Sequence, residues 1–122
     1  MKNSKQKQFD LEDRTFEFAK NVRAFVKILP QNLSNREDAK QVIRSSGSVG
    51  ANYIEANESL GKKDFFMRIK ISKKEAKESR YWLRLLDIGN AENLEVQRAR
   101  LVQEAQELTN IFGAIVKKST KS

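Results

Sequence analysis

Apolar side chains recur every three or four positions in four successive stretches, the spacing of amphipathic helices. At 100° per residue Leu11, Phe18, Val22, Phe25 and Leu29 share one narrow face, with Val26 at its margin and Lys20, Arg23 and Lys27 turned away. The second stretch aligns Ala39, Val42, Ser46, Val49, Gly50, Tyr53, Ala56 and Leu60, and the third aligns Phe65, Ile69, Ser72, Ala76, Ser79, Leu83 and Leu86. In the fourth, Leu94, Leu101, Leu108 and Ile115 stand seven apart, reinforced by Ala105 and Phe112. No two-residue alternation competes. The pattern predicts an all-α, antiparallel up-down four-helix bundle in a single domain over 1–122, with helices at about 11–29, 35–60, 63–88 and 92–117.

The punctuation agrees. Pro30 disfavours α conformation at Leu29 and so ends the first helix. Ser34 and Glu37 have the spacing of a capping box that opens the second. Gly61 and Gly89-Asn90 suit the left-handed turns that close helices. The polar stretches 1–9 and 118–122 are expected to be flexible tails. Inside the second helix, Ser45-Ser46-Gly47-Ser48-Val49-Gly50 is poor helix-forming material, each Gly costing about 1 kcal/mol against Ala. Small side chains there predict a tight crossing, with the third helix or with another subunit; the spacing matches no phosphate-loop pattern.

The third helix departs from the simple pattern. Met67, Ile71, Trp82 and Leu85 widen its apolar sector beyond the roughly 100° stripe that a bundle covers. These four residues either meet a second subunit or close the ends of the bundle. The rest of the circumference is basic: Lys62, Lys70, Lys73, Lys74, Lys77, Arg80 and Arg84 form a continuous flank. Residues 61–90 hold nine basic and four acidic side chains, so +5 of the chain's +8 lies here. Such a flank can follow an RNA or DNA backbone, or it can be a solvated face that keeps the protein soluble. Aromatic residues are too sparse along it to make a base-stacking platform.

Composition narrows the chemistry. The 122 residues include no Cys and no His, which removes disulfides, thiol and imidazole catalysis and the usual zinc sites. The expected protein is therefore non-catalytic, with no cofactor and no metal. Glu55, Glu75 and Glu78 raise the question of a di-iron bundle, but its Glu-x-x-His motifs are missing, and ion pairs to a neighbouring helix or hydrogen bonds to Ser45, Ser46, Ser48 and Asn52 are the better roles. No apolar run approaches a bilayer's thickness and the first residues lack the apolar middle of a secretory signal, so a cytoplasmic location without membrane contact is expected.

The segment from Ser45 to Ala56 resembles the S-x-S-I-x-x-N-I-A-E-G motif of the bacterial four-helix-bundle proteins named for reading frames in intervening sequences of 23S rRNA genes. Lys63-Asp64-Phe65-Phe66 and the run from Glu75 to Leu83 are similar to the same family. Asn52, Glu55 and Glu78 fall on motif positions, whereas Ala56 replaces a Gly and Lys74-Glu75 replaces a Gly-Ser. The resemblance implies a homopentameric ring without enzymatic activity. It also implies kinship with the accessory proteins of diversity-generating retroelements, which are basic barrels that engage a reverse transcriptase. Two functions remain open: nucleic-acid association through the basic flank, or an adaptor whose partner is another polypeptide such as a polymerase.

Overall fold

A computed structural model describes residues 10–120. Four helices follow in order: α1 Leu11–Lys27, α2 Leu33–Asn57, α3 Lys62–Leu85 and α4 Glu92–Lys117. No strand occurs among the described residues. The stretches 1–9 and 121–122, expected as tails, lie outside the described residues, whereas Lys118–Thr120 continue from α4 as a short 3-10 turn.

Each boundary has a local cause. Asp10 caps α1, its carboxylate accepting from the Asp13 amide at 3.0 Å, and Glu12 and Asp13 sit favourably at the positive end of the helix dipole. The capping box expected at Ser34 and Glu37 does not form. Asn32 is the cap instead, accepting from the Asn35 amide at 2.8 Å, while the Ser34 hydroxyl donates to the Asn32 side chain. The helix begins one residue before Ser34, which leaves that serine inside the first turn. Helix α2 also stops at Asn57, because the Glu58 and Ser59 amides fold back onto Glu55 and Ala56, and Leu60 stands fully exposed in the turn. Gly61 is extended (φ −142°) and opens α3 as its N-cap, so of the two expected left-handed glycines only Gly89 (φ +65°) has that conformation.

Helix α3 packs between α2 and α4, and α1 lies against α2 and, more lightly, α4, which puts α1 and α3 on diagonal corners. Phe18, Val22, Val42, Ile69, Leu83 and Phe112 are among the fully buried centre. The small residues of α2 face two neighbours. Ser45 and the backbone meet α3: Ser45 Oγ lies 2.8 Å from Ser79 Oγ, and Ser72 Oγ donates to the Val49 carbonyl at 2.9 Å; Ser46 instead accepts from Arg23 of α1. The glycines of α2 serve α1, since a Cβ on Gly50 would stand 2.7 Å from Thr15 Oγ1. At one end of the bundle buried Asn35 ties the loops together, donating to the Pro30 and Asp87 carbonyls and accepting from the Asp87 amide. At the other, Asn57 donates to Glu12, which places the end of α2 beside the start of α1.

Candidate functional site

Charge is segregated onto one helix. Nine basic and three acidic side chains lie on α3, whereas α1, α2 and α4 together hold ten of each. Ion pairing does not undo this separation. Arg44 of α2 reaches Glu75 and Glu78 at 3.5 Å each, which takes two of the three α3 carboxylates toward α2. On α4, Glu104 and Glu107 bind Arg14 of α1 at 2.7 and 2.8 Å, and Glu95 binds Arg98 of its own helix. Among the described residues no Lys or Arg of α3 makes an ion pair. The Glu104 and Glu107 carboxylates hold the Arg14 guanidinium protonated well above its ordinary range. Gln103 and then Arg14 hold the Glu107 carboxyl below the usual carboxylate range.

Lys70, Lys73, Lys74 and Lys77 border an open depression of about 540 Å³ with Glu78 and Val116. Lys70 also joins Lys62, Lys63 and Ser119 around a second depression at the start of α3, so the two share Lys70 as a common wall. Lys73 lies down against α4, where Gly113 leaves room: its Cε would be 3.6 Å from a Cβ at that position. Arg84 is exposed, and only its carbonyl is engaged, by Arg98. Lys73 and Arg80 are half-buried, and Arg80 differs from the other cations of the flank in that its Nε is enclosed without a hydrogen-bond partner.

The four apolar residues that widen the α3 sector are mixed in exposure. Met67 and Leu85 are 49% and 50% exposed, whereas Ile71 and Trp82 are half-buried and Trp82 packs on the core with its ring edge-on to Tyr81. Tyr81, not singled out by periodicity, is more exposed than any of the four. Among the polar positions, Asn52 accepts from Arg68 at 3.0 Å and donates to the Ser48 carbonyl, Glu75 is buried, Glu78 is half-buried and Glu55 is exposed. The Arg44 contact with Glu75 is electrostatic, since its Oε1 has no partner in hydrogen-bond geometry. Arg44, Arg68 and Asn35 escape a periodicity reading, because spacing gives the face of a helix but not the reach of a long side chain to another helix.

The arrangement can hold a polyanion by point charges along roughly seven helical turns. Among the described residues no three Asp or Glu side chains are placed so that they could hold a metal ion. No helix among them is long and apolar enough to cross a membrane.

No curated protein matches the chain. Among solved structures it is similar to a protein of unknown function from the S23 ribosomal protein family of Bacteroides thetaiotaomicron. The two share 29% identity at a TM-score of 0.70, covering 87% of this chain and 97% of the other. The family description "23S rRNA-intervening sequence protein" matches residues 7–114, nearly the whole bundle, and the chain belongs to that family.

Proposed function

We propose that this is a non-catalytic, homo-oligomeric bundle protein of the cytoplasm that binds RNA or DNA backbones through the basic flank of α3. The observation that carries the reading is the unpaired charge: Glu75, Glu78, Glu95, Glu104 and Glu107, on α3 itself and on the neighbouring α4, are directed to Arg44, Arg14 or Arg98 instead. A flank needed only for solubility would work equally well with internal ion pairs, whereas a polyanion site requires its cations free.

Fluorescence-anisotropy titrations of structured RNA and duplex DNA at low and moderate salt test this. Binding should weaken steeply with salt. Replacing Lys70, Lys73, Lys77 and Arg84 by Glu should abolish most of it, flattening the logarithmic salt slope on duplex DNA by roughly 0.9 for each phosphate that is no longer neutralised. Unchanged affinity would remove the assignment. The exposed Met67, Tyr81 and Leu85 beside the flank favour a second reading, an adaptor for a polymerase or reverse transcriptase in the manner of retroelement accessory proteins. Recovery of a protein partner after nuclease treatment, with no nucleic-acid affinity, would select it.

A further inference from the structure

One aromatic side chain lies within the basic flank itself. Phe66 stands four residues after Lys62 and four before Lys70, so the three share the side of α3 on which Lys73 meets Gly113 of α4. With Lys62, Lys63, Asp64, Met67 and Lys70 it borders the depression of about 500 Å³ at the start of the helix. Phe66 is half-buried, and its edge-on contact with Phe65, ring centroids 5.2 Å apart, takes up at most one of its two faces. The three lysines are exposed, and neither they nor Asp64 make an ion pair among the described residues.

An aromatic face and free ammonium groups therefore meet in one depression. A ligand that uses both is flat and apolar in one part and anionic in another, which describes a nucleotide. Charge narrows the class further. Three lysines against one aspartate leave +2 around the depression. A phosphate inside a strand carries a single negative charge, whereas one that ends a strand carries about −1.5 to −2 at pH 7 and matches the site. The path of positive charge also stops here. Lys70 is common to this depression and to the one bordered by Lys73, Lys74 and Lys77, so a backbone lying along the flank is led to it. Beyond Lys62, residues 51–60 hold exposed Glu55 and Glu58 and no Lys or Arg, and a strand that continued past the start of α3 would meet like charge.

From this juxtaposition we infer that the depression at the start of α3 holds the phosphorylated end of a nucleic-acid strand, with the terminal phosphate among Lys62, Lys63 and Lys70 and the terminal base on the face of Phe66. The inference rests on the proposed binding of nucleic acid by the flank and deepens it. Lys70, Lys73, Lys77 and Arg84 hold a backbone whatever its sequence, and the depression selects strands that end in a phosphate. The flank lacks the row of rings that successive bases would need, but one terminal base needs one ring.

Anisotropy titrations with a single strand of one sequence, carrying a 5′-phosphate, a 3′-phosphate or no terminal phosphate, or closed into a circle, test the assignment. A phosphorylated form should bind about tenfold tighter than the unphosphorylated and circular forms. Phe66→Leu keeps an apolar side chain without a ring; it should remove that preference and leave affinity for the circle unchanged, whereas Phe66→Tyr should retain the preference, with equal helicity by circular dichroism in all three proteins. Equal affinity for the four forms, a preference that Phe66→Leu leaves intact, or a Phe66→Leu variant that weakens the circle as much as the phosphorylated strand would overturn the end site alone, and the flank reading would stand. Free adenosine 5′-monophosphate binding as tightly as the phosphorylated strand would overturn the strand end in favour of a site for free nucleotides. Failure of every form to bind would overturn both the end site and the flank reading.

Discussion

Gly50→Ala probes how closely α1 and α2 approach. On an exposed helix this substitution stabilises, since Ala gains about 1 kcal/mol over Gly in a helix interior. Here the new Cβ would lie 2.7 Å from Thr15 Oγ1 and 3.1 Å from Thr15 Cβ, and Thr15 is buried with its hydroxyl bound to the Leu11 carbonyl at 2.7 Å. The hydroxyl cannot rotate away without losing that bond, so α1 must move. Overpacking of this kind costs about 1–3 kcal/mol, which offsets the propensity gain and leaves a net loss of roughly 1 kcal/mol. Thr15→Ala removes the closer of the two contacts. Against that background Gly50→Ala needs a shift of only a few tenths of an ångström and should turn neutral or stabilising, giving a coupling of about 1–2 kcal/mol in a double-mutant cycle. Urea denaturation of the four proteins at one fixed protomer concentration provides the cycle. A Gly50→Ala variant stabilised by about 1 kcal/mol in the unaltered background would refute the close approach.

The other expectations concern buried polar groups and acid. Asn35→Ala removes three hydrogen bonds that join the α1–α2 and α3–α4 loops, and should cost roughly 2–3 kcal/mol in urea titration, a loss absent from Asn93→Ala on the exposed start of α4. The Ser79 hydroxyl is 2.9 Å from the Glu75 carbonyl and the Ser45 hydroxyl 3.5 Å from the Val42 carbonyl; the shorter backbone bond favours Ser79 donating to Glu75 and Ser45 donating across the 2.8 Å Ser45–Ser79 contact. Ser79→Ala should therefore cost about 1–2 kcal/mol, and adding Ser45→Ala should cost less than its own single effect, because no buried hydroxyl is then left seeking a partner. Arg44→Ala leaves the buried Glu75 carboxylate without its cation; half-exposure of Arg44 limits the loss to roughly 1–2 kcal/mol, and Glu75→Gln in the same chain should recover part of it. Glu107 is held below its unfolded value, so its contribution is present above the ordinary carboxylate range and is lost as pH falls through its folded value; Glu107→Gln should flatten the acid limb of a melting-temperature profile.

The sequence by itself determined the helical architecture, for a reason that is local: a 3.6-residue period, one Pro and a few glycines leave the chain only one way to hide its apolar stripes. Phe18, Val22 and Phe25 of α1, Leu29 just beyond it, and Ile69, Ala76 and Leu83 of α3 are buried as that period requires. The basic character of α3 was equally plain, since charge is counted without coordinates. Tertiary structure decided which of those charges remain unpaired. Periodicity places Glu75, Glu78, Glu104 and Glu107 on faces, but only packing sends the first two to Arg44 and the last two to Arg14. It likewise half-buried Ile71 and Trp82, left Met67 and Leu85 outside, exposed Leu60 where the stripe would have buried it, and directed Ser45 to α3 and Gly50 to α1. Hydrophobic burial is set by spacing along one helix, whereas an ion pair is set by the distance between two, and that distance exists only once the helices have packed.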